Sequence, residues 1–274
     1  MPSPNSELTL GQALALSVLQ GPTELLPISS SAHTIAAARL LDWPWDELDP
    51  ELRKSFEVAL HAGTALALIS GGRVSAGLDR DAAVLTAAAC VPPAIAGYLF
   101  ERQIEARLGT PATIAAALVA GSGAMVLANR ASERRSRHDA ALPDGLWLGV
   151  AQAFALIPGV SRSGATLSAA RLLGFRSPDA SRLSAQVGLP VLGGACLLKA
   201  IRLWRRAPGA RSAPALLVGV AGSFASTFAV AGRMARHEPS ARLLPYAMYR
   251  IALAALVLMR LKASAHDQGQ ASSV

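Results

Sequence analysis

Cysteine is nearly missing from this chain, with two in 274 residues. Cys90 and Cys196 both lie inside apolar segments, and no CxxC pair or Cys/His cluster exists. That argues against a zinc site and against a disulfide framework. Charge is also scarce, at 16% of residues, and lysine is scarcer still, at 3 against 23 arginines. The first residues, Met-Pro-Ser-Pro-Asn-Ser-Glu, lack a basic region, so a cleaved signal peptide is not expected. There is no long basic arm either. The net charge of +8 comes from arginines in short loops between apolar stretches, so lipid headgroups are the expected counter-ions and nucleic acid is not.

What fills the chain is apolar. Hydrophobic residues make up 52% and the mean hydropathy is +0.36. Charge-free runs cover 8–23, 58–72, 82–100, 108–129, 145–161, 183–198 and 212–232. A membrane-spanning helix needs roughly 17–25 mostly apolar residues. The expected fold is therefore all-α: a polytopic integral membrane protein with spans near 56–71, 81–100, 111–129, 181–202, 213–233 and 243–261. The polar tail 264–274 is expected to be unstructured.

Two apolar segments, 8–41 and 144–175, differ from the rest. Each is broken midway, at Pro27-Ile28-Ser29-Ser30-Ser31-Ala32-His33 and at Pro158-Gly159-Val160-Ser161-Arg162-Ser163-Gly164. Such a break cannot face lipid, because its backbone groups would lack partners. It must be buried in protein or line a wet cavity. Each segment reads as a reentrant helix pair. Each is followed by three spans, and a Gln precedes each breaking proline (Gln20, Gln152). The pattern predicts a duplication of about 130 residues, 8–129 and 144–261, within one membrane domain. Three spans per half would invert the second copy, with the two breaks meeting near the midplane. Basic residues divide almost evenly between the two sides, so charge bias gives no orientation.

The first break carries chemistry. Gln20 and Glu24, four apart, share a helix face. Ser29 and Ser30 lie four and three residues before His33, on the helix that starts after the break. Ionisable groups inside a membrane are costly, which makes function the default reading. Ser29 is the better helix cap. Ser30 is the preferred nucleophile, activated by His33, with Ser29 second and water also open. Glu24 would act as acid or base. The second break joins Ser161, Arg162, Ser163 and Thr166 at a helix start, where free N–H groups, hydroxyls and a guanidinium fork suit phosphate. A structural salt bridge from Arg162 to Glu24 is the plainer alternative. Arg250, eighth in the apolar run 243–259, is too deep to reach water easily and is expected to pair with an inward acid such as Glu57, or to line a wet cavity.

The two breaks, Gln20-Gly-x-Thr-Glu24-x-Leu-Pro-x-Ser-Ser-Ser-x-His33 and Pro158-Gly-x-Ser-Arg-Ser-Gly-x-Thr166, resemble the signature motifs of the undecaprenyl-diphosphatase family, the bacitracin-resistance proteins. The stretches Phe56-Glu57…His61-x-Gly63-Thr64 and Pro245-Tyr246-Ala247-Met248-Tyr249-Arg250 extend the likeness over nearly the whole chain. Gln20 stands where many members carry Glu, and Ala32 where Gly is usual. The resemblance implies hydrolysis of undecaprenyl diphosphate to undecaprenyl phosphate and inorganic phosphate. It also implies a divalent cation, Mg²⁺ or Ca²⁺, and a bacterial inner membrane with the site reached from the periplasmic side. Catalytic roles would fall to Glu24, Ser30, His33 and Arg162, and substrate binding to Gln20, Ser29, Ser161, Ser163 and Thr166. Glu24 would also be the metal ligand. The oligomeric state stays open, with a homodimer admitted. The rival reading is a lipid flippase using the same anion site. The unrelated acid-phosphatase-like lipid phosphatases are excluded, since no His follows Ser161-Arg162 until His237.

Overall fold

In the computed structural model, residues 7–45, 47–71, 79–206, 213–235 and 242–271 are described. Ten α-helices cover most of them: α1 (Leu10–Leu25), α2 (Ser30–Leu40), α3 (Pro50–Ser70), α4 (Arg80–Leu108), α5 (Pro111–Asn129), α6 (Leu142–Phe154), α7 (Arg162–Leu172), α8 (Ser177–Arg206), α9 (Ala213–Ala235) and α10 (Leu244–Ala271). Helix starts follow local chemistry. Thr9 and Gln12 form a reciprocal capping box on α1. Asp49 and Thr110 cap α3 and α5, each with Pro at the first turn.

Among the described residues, four helices are apolar and long enough to cross a bilayer by length and composition alone: 80–104, 111–129, 213–234 and 244–261. The expected spans at 56–71 and 181–202 are also helices of spanning length, of 21 and 30 residues. Helix α3 opens with charged residues and buries polar ones, among them Ser55 and Thr64. The polar tail differs from expectation, because α10 continues to Ala271. Ala265, Gln268, Gln270 and Ala271 are good helix formers and extend the preceding helix, and 272–274 lie outside the described residues.

Both expected breaks are present. Leu26, ahead of Pro27, is extended at φ −81°, ψ 154°, as a residue before proline prefers, and α1 ends there. Helices α1 and α2 have 16 and 11 residues, α6 and α7 have 13 and 11. At 1.5 Å per residue, an 11-residue helix rises only ~16 Å, about half the hydrocarbon core. The two members of each pair also pack on each other, α1 on α2 and α6 on α7, as a reentrant hairpin requires. A clamp closes the second pair. Arg135 donates to both carboxylate oxygens of Asp144 at the start of α6 (2.8 and 2.6 Å) and to the Leu173 carbonyl at the end of α7. Its guanidinium lies 4.3 Å over the Phe175 ring.

Helix α1 packs on α9 and α6 packs on α4; α3 also packs on α9, and α5 on α10. The interior mixes apolar clusters with buried hydroxyls, and large apolar side chains also cover the outside. Ser17, Thr64, Ser122, Ser223 and Thr227 are fully buried, whereas Tyr98, Trp147, Phe154 and Leu217 are exposed. That distribution is what a lipid-facing surface requires. The α3/α9 contact depends on Gly63, where a Cβ would collide with the Val220 carbonyl and Ser223 Oγ. Gly63→Ala should destabilise the protein by about 1–3 kcal/mol, because backbone must move. Thermal unfolding in detergent checks this; an unchanged melting temperature would mean the helices separate freely.

Candidate active site

The two breaks meet. Ser163 Oγ, on the second, donates to the Leu26 carbonyl of the first at 3.1 Å. Arg162 crosses the same junction, with Nη2 donating to Glu24 Oε1 at 2.8 Å and Nη1 to the Gly188 carbonyl of α8. The salt bridge weighed as the plainer role for Arg162 is thus formed. The Glu24 side chain is 8% exposed and that of Arg162 20%. A guanidinium so placed offsets the carboxylate's charge and stays partly exposed.

Glu24 collects donors. Ser30 Oγ donates to its Oε2 at 2.6 Å and Gln20 Nε2 at 3.3 Å. The i, i+4 spacing on α1 accounts for Gln20. Ser30 comes from beyond the break. A short O–H···O⁻ bond of this kind links a hydroxyl to the carboxylate able to take its proton.

His33 is elsewhere engaged. Its Nδ1 bonds the Ser29 carbonyl and its Nε2 the Tyr249 hydroxyl, both at 2.7 Å. The ring stacks on Tyr249 with centroids 5.5 Å apart. The helix-face argument that joined His33 to Ser30 does not match this geometry. Ser29 adopts φ +76° just before α2, and the bend sends Ser30 back toward α1. Nor does Ser29 cap the helix through its side chain, since its Oγ lies 3.3 Å from Ser31 Oγ.

On the second break, Ser161 caps α7 by accepting from Gly164 N at 3.2 Å. Thr166 is fully buried and turned away, its Oγ1 2.6 Å from Ser184 Oγ and donating to the Arg162 carbonyl. Gln20, Glu24, Ser30, Arg162 and Ser163 therefore gather at the junction, and Ser29, His33, Ser161 and Thr166 support it. Two residues outside the candidate set also reach it. His61 Nε2 stands 3.6 Å from Glu24 Oε2, its Nδ1 held by the Glu57 carbonyl at 2.7 Å. Tyr249 holds His33. Both lay in stretches that carried the family likeness, but on helices read simply as spans.

Arg250 is fully buried, and one of its nitrogens meets carbonyl oxygens where an acid such as Glu57 was expected, while Nε and Nη1 have no partner among the described residues. Nη2 donates to Gly159 at 3.1 Å, with longer contacts to Leu118 and Ala117. Carbonyl dipoles at an interrupted helix offer a buried guanidinium an alternative to a carboxylate.

Gln20, His61 and Arg162 turn nitrogens toward Glu24, and the hard oxygen ligands at the junction are the Glu24 carboxylate and the Ser30 hydroxyl. That set suits a hard cation such as Mg²⁺, which is commonly held by one or two carboxylates together with substrate phosphates. Among the described residues no three His, Cys, Asp or Glu side chains cluster as a protein-only metal cage. The residues that could hold such a cation are Glu24 and, through its hydroxyl, Ser30.

A family model described as bacitracin resistance protein BacA matches residues 13–256. The chain belongs to the BacA family. Its similarity to individual family members spans nearly the full length. The undecaprenyl-diphosphatase of Geobacter metallireducens is 36% identical over 267 residues, 90% of this chain and 96% of the relative. That of Geobacter sulfurreducens is 38% identical over 264 residues, covering 90% and 96%. The Moorella thermoacetica protein of the same name is 35% identical over 264 residues, covering 92% and 97%. Both breaks and the α10 dipeptide Tyr249-Arg250 fall inside the matched BacA region.

Proposed function

We propose that this multi-pass membrane protein hydrolyses undecaprenyl diphosphate to undecaprenyl phosphate and inorganic phosphate. The lipid carrier is thereby returned to peptidoglycan and envelope synthesis, and bacitracin, an antibiotic directed at the diphosphate, is resisted. The observation that carries the reading is the 2.6 Å bond from Ser30 to Glu24, set beside Arg162 where the two breaks join. Names of the BacA relatives support the same substrate.

The chemistry follows from the groups present. Arg162 exchanges a carboxylate oxygen for phosphate oxygens and, with the N–H groups at the start of α7, binds the terminal phosphate. Glu24 takes the Ser30 proton as Oγ attacks the terminal phosphorus. The bond from that phosphorus to the bridging oxygen breaks, and undecaprenyl phosphate leaves. Glu24, having passed that proton to the departing phosphate oxygen, then takes one from water as water attacks the phosphoserine; the bond from phosphorus to Ser30 Oγ breaks, Glu24 returns the proton to Oγ, and inorganic phosphate departs. Glu24 would hold a Mg²⁺ or Ca²⁺, which when bound would supply charge neutralisation to the diphosphate. His33 acts on backbone geometry, away from the proton path.

The proposal includes an inner-membrane location with the site open to the periplasm, and two inverted repeats, 8–129 and 144–261. The repeat is supported by the exchange of partners: α1 of the first half packs on α9 of the second, and α6 of the second on α4 of the first. The test is phosphate release by purified protein in detergent, with and without chelator, across lipid diphosphates of several lengths. Release is expected where no second compartment exists. Binding without release would favour the flippase reading.

A further inference from the structure

Each break contains one residue at positive φ, Ser29 at 76° and Gly159 at 96°. In each case the carbonyl of that residue is held by a side-chain donor, and both donors trace to one dipeptide on α10. The Gly159 carbonyl accepts from Arg250 Nη2 at 3.1 Å. The Ser29 carbonyl accepts from His33 Nδ1, and the far side of that ring meets the Tyr249 hydroxyl. A carbonyl only accepts, so Nδ1 carries the ring proton. In the neutral imidazole Nε2 then accepts from the Tyr249 O–H. Tyr249 therefore fixes the tautomer that grips Ser29.

Ser29 needs that grip. A non-glycine residue at this φ is sterically disfavoured and persists only where its surroundings enforce it. The conformation is what turns Ser30 Oγ back to Glu24. Gly159 adopts its φ freely, but its carbonyl fixes the turn that opens α7 and so sets Arg162. Neither Tyr249 nor Arg250 hydrogen-bonds Glu24, Ser30 or Arg162.

We propose that Tyr249 and Arg250 are a paired positioning element. Through the Ser29 and Gly159 carbonyls they brace both breaks from one turn of α10, holding Ser30 and Arg162 in register about Glu24. The activity readouts of this proposal rest on the phosphatase reading; the spectroscopic one does not.

The experiment is a set of substitutions in purified protein. Tyr249→Phe removes one oxygen and keeps the stacked ring. It should lower kcat about tenfold with KM changed less than about twofold. Adding Ser29→Gly should shrink the Tyr249→Phe effect to under about threefold, because glycine adopts positive φ without support. The loss caused by Arg250→Lys should persist in that Ser29→Gly background, since it acts at Gly159. An equal Tyr249→Phe effect in both backgrounds, or none in either, would overturn the brace. Separately, ¹⁵N shifts of the His33 ring, identified by their loss in His33→Asn, should report Nδ1 protonation in the unsubstituted protein and mixed tautomers in Tyr249→Phe. A proton on Nε2, or a ring unaffected by Tyr249→Phe, would overturn it as well. Should the protein release no phosphate at all, the phosphatase reading fails and the ring shifts still decide the brace.

Discussion

Glu24→Gln is expected to reduce phosphate release by at least about a hundredfold, the scale of losing a positioned general base. An amide can still accept from Ser30 through its oxygen, so the bend should survive while the proton acceptor is lost. The loss should fall on kcat. Removing the carboxylate also leaves Arg162 without its counter-charge, and binding of the diphosphate should hold steady or tighten. Glu24→Asp separates charge from reach. It keeps the carboxylate but is one methylene short of Ser30, now 2.6 Å away, and should also be severely impaired. Rates measured at matched folded concentration check both variants. Near-normal turnover in the Gln variant would remove Glu24 from the proton path.

Arg162→Lys should cost about 100- to 1,000-fold in kcat/KM, as loss of one transition-state donor typically does. The guanidinium spans two partners at once, Glu24 Oε1 and the Gly188 carbonyl. An ammonium on a flexible stem cannot present two fixed parallel donors to a phosphate. Both KM and kcat should worsen, because the fork binds the diphosphate and also meets the charge that develops on it. A Lys variant with ordinary kinetics would reduce Arg162 to a point charge.

The reentrant breaks were legible because proline, serine and glycine interrupt apolar runs where backbone groups cannot face lipid. The Gln20–Glu24 pair was legible because i, i+4 spacing within one helix is fixed geometry. The partner of Ser30 was not. Spacing on α2 pointed to His33, but Ser29 at positive φ redirects the chain, and nothing in a serine announces that conformation as a glycine would. Thr166 was read by the same local logic into the anion site. Its hydroxyl instead meets Ser184, 18 residues away on α8. His61 and Tyr249 sat in plain view on apolar helices. Only tertiary packing brings His61 to Glu24 and Tyr249 to His33. Arg250 stood out by its depth, but its carbonyl partners come from α5 and from the second break, and no residue pattern encodes them.

The central claim is that Ser30, bonded to Glu24, is the group that attacks phosphorus. The most direct measurement is inorganic phosphate release from undecaprenyl diphosphate by the unsubstituted protein and by Ser30→Ala, both purified and matched for folded concentration. The account predicts steady release by the first and background release by the second. A Ser30→Ala protein that releases phosphate at the unsubstituted rate would contradict it and leave water as the attacking group.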